Sequence, residues 1–208
     1  MARRPLTSPR KQASQDRSRA TVDALVEATA RILVREGFDA ASTNHIAARA
    51  GVSVGSLYQY FPGKEALVGA VMDRHQRELS QLVRGLLPQV ATLPLQQALR
   101  KLVTLGIRAH QVDPKLHRVL AEQIPRTGRL KDIEAFNREN YALFRAWLEG
   151  HRDEIRAVDL DMAAFVCVSS IEAVTHRAVL HHSETFSAEA IEALIDEATR
   201  LVVRYLNP

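Results

Sequence analysis

Residues 53–60, SVGSLYQY, concentrate side chains that form hydrogen bonds within one short stretch of the sequence. The stretch holds two serines, two tyrosines and one glutamine, although the whole chain of 208 residues contains only four tyrosines. Glycine, serine and tyrosine are poor residues for the interior of a helix that serves only packing. Because helical patterns lie on both sides, we interpret the stretch as a short helix with a binding role.

Two short helical segments surround Gly51 in the sequence. Ser42 or Thr43 can cap the first segment, and Ser53 can cap the second, which extends to Tyr60. Gly51 supplies a backbone that can take a positive φ angle, as a tight turn requires. Two short helices joined by a glycine turn are typical of a helix-turn-helix, whose second helix lies in the DNA major groove. The pattern therefore predicts DNA binding.

The residues at the start of the second helix are small, which would let the helix approach DNA closely. Residues 53–56 are SVGS, and the free backbone N–H groups of a helix N-terminus favour phosphate oxygens. Gln59 can pair with adenine, and Val54 can contact a thymine methyl group. Composition alone leaves an alternative, in which Tyr58 packs against Phe61 as part of the protein core.

Positive charge is concentrated at the start of the chain. Residues 1–19 carry six basic side chains and one acidic side chain, whereas residues 20–64 carry four of each and residues 65–208 carry 18 basic and 19 acidic side chains. Such a segment is either a solvated leader or a cationic arm that binds a polyanion. Arg17 and Arg19, nearest to the first predicted helix, would contact either the minor groove or phosphate.

Helical periodicity continues through the rest of the chain, and no stretch alternates convincingly as a strand. We predict an all-α fold of about nine helices, with a small N-terminal unit and a larger C-terminal unit. Pro88 and Pro94 bracket a predicted linker. The helices predicted outside the helix-turn-helix cover residues 21–36, 64–86, 95–110, 131–152, 159–182 and 187–205, with a further short helix that starts at 113–114 and ends at Pro125 and Gly128.

Composition and motifs exclude several classes of protein. The longest apolar runs, such as residues 162–168, are far shorter than the about 18–20 residues of a membrane span, and the N-terminus lacks the apolar core of a signal peptide. Since the one cysteine, Cys167, cannot form an intrachain disulfide, we expect a cytoplasmic location. No phosphate-binding loop, zinc-binding motif or nucleophile motif occurs, so we expect no cofactor, no metal site and no enzymatic activity.

Residues 42–71, STNHIAARAGVSVGSLYQYFPGKEALVGAV, resemble the signature of the TetR family of transcriptional regulators. The shared features are a threonine near the start of the second helix, AGVS at the turn, a small residue followed by Leu-Tyr in the recognition helix, and F-x-x-K-x-x-L after it. The resemblance is dense over about residues 20–72. The remaining two thirds of the chain match only in length and in the number and order of helices.

The resemblance assigns roles to individual residues. Thr43 resembles the family's phosphate contact at the second helix, and Tyr58 and Tyr60 resemble its phosphate-contacting aromatic residues. Lys64 resembles the basic residue that opens the long fourth helix. Members often have serine or asparagine before that lysine as a helix cap, whereas this chain has Gly63, a less directive cap.

The resemblance further implies a homodimeric regulator, a repressor that a small-molecule effector releases from double-stranded operator DNA. We therefore expect a basic flexible arm at residues 1–19, a helix-turn-helix DNA-binding domain at 20–64, and an effector-binding and dimerisation domain at 65–208. The last two helices would pair with their symmetry mates as a four-helix bundle. The DNA-binding residues that we predict are Arg17, Arg19, Thr43, Ser53, Val54, Gly55, Ser56, Tyr58, Gln59, Tyr60 and Lys64.

One stripe of the helix predicted at 159–182 carries polar residues among apolar ones. Glu172 and His176 on this stripe are either an exposed pair one turn apart or polar groups in an apolar cavity that orient a ligand. In the second interpretation the effector is small and largely apolar or aromatic, with a hydrogen-bond donor or positive charge near the carboxylate. The ligand-binding residues that we predict are Phe136, Phe144, Trp147, Phe165, Ser169, Glu172 and His176.

Two functions of other classes remain as alternatives. A small helical enzyme could use Glu172 and His176 as acid and base, although no nucleophile or metal set in the sequence supports it. A non-specific architectural protein would bind target and random DNA with a specificity ratio near unity.

Overall fold

The computed structural model describes residues 16–111, 113–127, 130–182 and 187–207, and the regular secondary structure in these ranges is entirely helical. This confirms the predicted all-α class. None of the helices within these ranges is long and apolar enough to cross a membrane. The helices are α1 (Asp16–Ala40), α2 (Thr43–Ala50), α3 (Val54–Tyr60), α4 (Lys64–Val90), α5 (Leu95–Gln111), α6 (Pro114–Thr127), α7 (Leu130–Glu149), α8 (Leu160–His182) and α9 (Ala188–Leu206), with a single 3-10 turn at Arg152–Glu154.

Helix α1 differs from its predicted bounds at both ends. It begins at Asp16, so it includes the last residues of the segment predicted as an arm. Gly37 interrupts it with a φ angle of 80°, a backbone conformation that glycine adopts without strain. The regular part of the helix therefore stops near Gly37, as the sequence predicts.

Helix α4 extends beyond its predicted end at residue 86 and continues through Pro88 to Val90. A proline has no N–H group to donate to the preceding turn. Next to it, the side-chain amide of Gln89 donates to the carbonyl oxygen of Gly85 at 3.0 Å. The linker predicted between Pro88 and Pro94 is correspondingly shorter, because α5 begins at Leu95.

The described residues form two compact units. The first contains residues up to 77 together with 115–132, and the second contains residues 78–114 together with 133–208. The first unit therefore includes the start of α4 and nearly all of α6 in addition to α1–α3. These are divisions of packing, and the functional bounds at residues 20–64 and 65–208 stay predictions.

Apolar side chains of α1, α2, α3 and the start of α4 form the core of the first unit. Helix α1 is buried at Val26, Thr29 and Leu33, with the spacing that one helical face requires. The Thr29 hydroxyl donates to the carbonyl oxygen of Leu25 at 2.7 Å, which satisfies this buried polar group. Burial stabilises the fold by about 1.5–3 kcal/mol for each large apolar side chain. The largest fully buried ones are Leu25, Ile32, Leu33, Ile46, Leu57, Phe61 and Leu67.

Polar contacts join α4 to α1 and α6 within the first unit. Arg74 lies 3.0 Å from a carboxylate oxygen of Glu27, which also pairs with Arg31 at 3.0 Å. Partial burial raises the pKa of Glu27, but the hydrogen bonds from Arg31 and Arg74 outweigh this effect and leave it below its ordinary value. On the other side, His75 Nε2 lies 3.0 Å from His117 Nδ1. These contacts fix the orientation of α4 against its two neighbours.

The second unit is built from α5, α7, α8 and α9 around apolar side chains. Gly106 of α5 faces Ile171 of α8, where an added Cβ atom would lie 3.5 Å from the Ile171 Cγ2 atom. Cys167 is buried, and burial raises the pKa of its thiol to about 12, so it packs as a small apolar side chain. The core includes Val90, Leu95, Leu99, Phe144, Trp147, Leu148, Leu160, Ala164, Cys167, Val202 and Leu206, with a second cluster of Val103, Ile107, Ile195 and Ala198.

Candidate functional site

The turn between α2 and α3 has the geometry that the sequence predicts. Ser42 is the N-cap of α2, and its hydroxyl oxygen accepts from the His45 N–H at 3.2 Å. Gly51 has a φ angle of 70° and ends α2 in the left-handed conformation. Ser53 caps α3, where its side chain accepts from the Ser56 N–H at 3.1 Å. Two capped helices joined by a glycine turn therefore form the predicted helix-turn-helix.

Helix α3 has one buried face and one exposed face. Leu57 and Tyr60 point into the core of the first unit, and Tyr60 is only 9% exposed. Gly55, Tyr58 and Gln59 are exposed, and Tyr58 retains 42% of its accessible surface. Burial of one face holds the helix in place, while the opposite face presents amide and hydroxyl groups outward. This arrangement suits insertion of the exposed face into a groove.

Thr43 and Tyr58 meet at one edge of the exposed face. The two hydroxyl groups lie 3.1 Å apart and form a hydrogen bond between the start of α2 and the middle of α3. Because Tyr58 stays exposed while Phe61 is buried, the alternative that Tyr58 packs into the core is wrong. Because this bond uses one of the two O–H groups, the pair keeps one O–H donor that suits a phosphate oxygen.

Two residues assigned to phosphate by the resemblance have other contacts. The Lys64 ammonium donates to the carbonyl oxygen of Phe38 at 3.3 Å and lies 4.2 Å from the centroid of its ring. An ammonium group has three donors, so a phosphate contact remains chemically open. Tyr60 is buried along its ring, and its role at phosphate rests on its hydroxyl group. Both assignments stay predictions.

Arg17 and Arg19 belong to α1, which corrects their placement in a flexible arm. The correction follows from the helix start at Asp16, since the first turn of α1 takes up the end of the basic segment. Arg19 is exposed, and the side chain of Arg17 lies outside the described residues. The remaining arm, residues 1–15, also lies outside them.

The stripe on α8 has polar and aromatic partners on α7. Tyr141 places its hydroxyl 3.3 Å from Ser169 Oγ, and its ring meets Phe165 edge-on with 5.7 Å between centroids. Glu172 and His176 are both half-buried, and burial raises the pKa of the Glu172 carboxyl. The fully exposed interpretation of Glu172 is therefore wrong, while a role in ligand binding stays a prediction.

The aromatic residues predicted on α7 do not share one environment. Phe144 and Trp147 are buried in the core of the second unit, with 5.3 Å between their ring centroids, and the side chain of Phe136 lies outside the described residues. Sequence reasoning missed Tyr141, which contacts the α8 stripe directly. The available signal was its position one helical turn before Phe144 with a polar tip.

Family models match both parts of the chain. Residues 25–71 match the model described as bacterial regulatory proteins of the tetR family, and residues 94–206 match the tetracyclin repressor-like C-terminal domain. The first match contains α2, α3 and the contacts between Thr43 and Tyr58. The second contains the α7–α8 contacts.

Several HTH-type transcriptional regulators align with this chain over part or most of its length. Over 57 residues it is 42% identical to the HTH-type transcriptional repressor DrrR1 of Streptomyces coeruleorubidus, which covers 27% of this chain and 21% of that protein. Over 92 residues it is 32% identical to the HTH-type transcriptional regulator BetI of Vibrio parahaemolyticus, covering 44% and 46%. The match spans less than half of each of these two relatives. With BetI of Vibrio campbellii it extends to 83% and 87%, at 27% identity.

Solved structures share the fold at low sequence identity. A TetR transcription regulator from Haloarcula marismortui has a TM-score of 0.70 and 21% identity, covering 90% of this chain and 98% of that one. The fatty acid degradation regulator FadR from Bacillus halodurans has a TM-score of 0.69 and 19% identity, covering 88% and 94%. Since both family models match in order and the second alone spans more than half of the chain, this protein belongs to the TetR family of bacterial regulatory proteins.

Proposed function

We propose that the protein is a ligand-responsive repressor that binds operator DNA as a homodimer in the cytoplasm and leaves it when a small molecule binds the second unit. The observation that carries the DNA-binding part is the exposed face of α3, with Tyr58 and Gln59 outward while Leu57 and Tyr60 are buried. A rigid helix with an outward row of hydrogen-bonding groups suits the width of the major groove.

The groups on this face divide between phosphate and bases. Thr43 and Tyr58 form one hydroxyl pair at its edge, where it can position the helix without reading sequence. Gln59 and Val54 lie on α3 itself, and their side chains suit adenine and the thymine methyl group. Phosphate contacts then set affinity, while Gln59 and Val54 set the preferred operator.

Exposed apolar side chains on the last two helices support a dimer. Met162 on α8 is 56% exposed, and Leu201 on α9 is 51% exposed. Large exposed apolar residues grouped on neighbouring helices are typical of an interaction surface. A two-fold dimer would carry two copies of α3 to successive turns of the operator.

The half-buried carboxyl of Glu172 supports an effector site on α8. Burial raises its pKa, which reflects the cost of a charged group away from water. A ligand that brings a positive charge or a hydrogen-bond donor would offset that cost. The Tyr141 and Phe165 rings on the same side suit an aromatic or apolar body.

A linkage experiment tests the repressor proposal. Small molecules that raise the thermal stability of the protein are titrated into its complex with a selected operator. We expect ligand and operator to weaken each other's binding by the same factor, because the ligand prefers the conformer that releases DNA. A ligand that binds without changing operator affinity would contradict the effector part of the proposal. A monomer in sedimentation at micromolar concentration would contradict the dimer.

A further inference from the structure

The hydroxyl group of Thr175 on α8 is buried and has no hydrogen-bond partner among the described residues. Thr175 as a whole is only 1% exposed. An unsatisfied buried hydroxyl is unfavourable, because the group loses its bonds to water and gains none in return. Such a group is retained at a cost, and this calls for a partner that the described residues do not supply.

Other threonines in helices of this protein satisfy the same requirement locally. Thr29, Thr104 and Thr199 each donate to the carbonyl oxygen four residues earlier, at 2.7 Å. This bond is the usual one for a threonine within a helix. Thr175 has a carbonyl at the same offset, at Ile171, but does not use it. Its hydroxyl therefore has no hydrogen bond within its own helix.

Glu172 lies three residues before Thr175 on the same helix, so their side chains are neighbours on one face. Its carboxyl is half-buried, and burial alone shifts its protonation toward the neutral form. Two adjacent groups, a carboxylate and a hydroxyl oxygen, can both accept hydrogen bonds. Ile171 and Val174, which precede them along α8, pack against the apolar cluster of Val103, Ile107, Ile195 and Ala198.

We infer that Glu172 and Thr175 together bind a protonated primary or secondary amine, which donates one N–H to the carboxylate and another to the Thr175 hydroxyl. This inference rests on the effector function proposed above and narrows the effector to a class. A primary ammonium group carries three N–H donors, enough for both acceptors. A quaternary ammonium group carries the same charge but no N–H donor, so it can pair only with the carboxylate.

Matched ligands separate these two classes. The probes are benzylamine, phenethylamine and hexylamine, each compared with its N,N,N-trimethyl derivative, and 2-phenylethanol serves as a neutral control. Thermal stabilisation and isothermal titration of the full-length protein give the affinities. We expect at least one primary amine to bind about tenfold more tightly than its trimethyl derivative, as loss of one buried hydrogen bond to a charged group implies.

Variants at Thr175 test the hydroxyl directly. Thr175→Val keeps the side-chain shape and removes the hydroxyl, while Thr175→Ser keeps the hydroxyl as the matched control. We expect Thr175→Val to abolish the preference for the primary amine, to leave trimethylammonium binding unchanged, and to raise the melting temperature of the free protein because an unsatisfied group is removed. Thr175→Ser should retain the preference.

Three outcomes would overturn the inference. These are stabilisation by none of the three amines, an unchanged preference in Thr175→Val, and a lower melting temperature of free Thr175→Val, which would indicate that the hydroxyl bonds a structural partner.

Operator binding is measured in parallel. If an amine binds through these residues but leaves operator affinity unchanged, the amine site stands and the effector function fails. If no amine binds while operator binding persists, the amine site fails, and the effector function then requires a ligand of another class.

Discussion

The hydroxyl groups of Thr43 and Tyr58 lie 3.1 Å apart, although the two residues are 15 positions apart in the sequence. The bond links the first turn of α2 to the exposed side of α3. It holds the tyrosine ring in place before DNA arrives, so less side-chain entropy is lost on binding. The O–H donor that this bond leaves free is suited to phosphate and carries no sequence information.

Removal of either hydroxyl should weaken binding to all operators equally. Tyr58→Phe and Thr43→Val each delete one hydroxyl, and we expect affinity to fall by about tenfold or more for each, since a hydrogen bond to a charged group contributes about 1.5–3 kcal/mol. The double variant should lose less than the product of the two, because the groups act together. Anisotropy titrations on a panel of operator variants measure this. A changed order of operator preference in Tyr58→Phe would contradict a phosphate role.

Substitution of Gln59 should change which operator is preferred, in contrast to the uniform loss of affinity expected for Thr43 and Tyr58. Gln59 is exposed on α3 and carries a side-chain amide that can pair with an adenine. We expect Gln59→Ala to lower the discrimination between the preferred operator and a single-base variant by about 1–3 kcal/mol at one position in each half-site. Binding to random DNA should be nearly unchanged. Equal losses on specific and random DNA would show that Gln59 contacts the backbone instead.

Tyr60 should contribute to the stability of the first unit as well as to DNA binding. Because its ring is buried in the first unit, Tyr60→Ala should lower the free energy of unfolding by about 3–5 kcal/mol, as for other large aromatic truncations. Tyr60→Phe keeps the ring and removes only the hydroxyl. We expect this variant to fold normally and to lose affinity only if the hydroxyl reaches phosphate. Urea unfolding and operator titration of the two variants separate these effects.

Deletion of residues 1–15 should weaken binding to every DNA sequence. The deleted segment carries four basic side chains, Arg3, Arg4, Arg10 and Lys11. Each phosphate contact that is lost reduces the slope of log K against log salt by about 0.9. Titrations at several salt concentrations on one operator give the slope. An unchanged slope would remove the arm from DNA binding.

Glu172 should make stability depend on pH. Burial raises its pKa in the folded protein above the ordinary value of a glutamate, so the folded state binds the proton more tightly than the unfolded state. Its contribution to stability is therefore fully present below the unfolded pKa and is lost as pH rises through the folded pKa. Glu172→Gln keeps a neutral group, and we expect the difference in melting temperature between this variant and the wild type to widen as pH rises above about 4.5. A difference that stays constant with pH would indicate that the carboxyl is solvated.

The helix-turn-helix can be predicted from the sequence because its signals come from residues that are close together in the chain. The Ser53 cap, the turn at Gly51 and the buried Leu57 each follow from short-range spacing, and all three have the predicted geometry. The predicted start of α1 at residue 21 is wrong, because the helix begins at Asp16. Helix ends fray, so their positions are less sharply defined than those of helix interiors.

Contacts between distant residues escaped sequence reasoning for a physical reason. The pairing of His75 with His117 and of Tyr141 with Ser169 depends on how helices pack, and helical periodicity identifies a face without identifying its partner. The same limit applies to Lys64, whose contact with Phe38 joins residues that are 26 positions apart in the sequence. The unsatisfied hydroxyl of Thr175 is visible only once its surroundings are known.

Selection of operator sites from random-sequence DNA duplexes tests the central claim most directly. If α3 reads the major groove in a two-fold dimer, sequencing of the bound fraction should give an inverted repeat whose half-sites are spaced by about 10 base pairs or a multiple of it. Binding to the selected site should exceed binding to random DNA by at least about a thousandfold, and Gln59→Ala should change the selected bases. Bound fractions with no common motif, and a ratio near unity, would contradict the account.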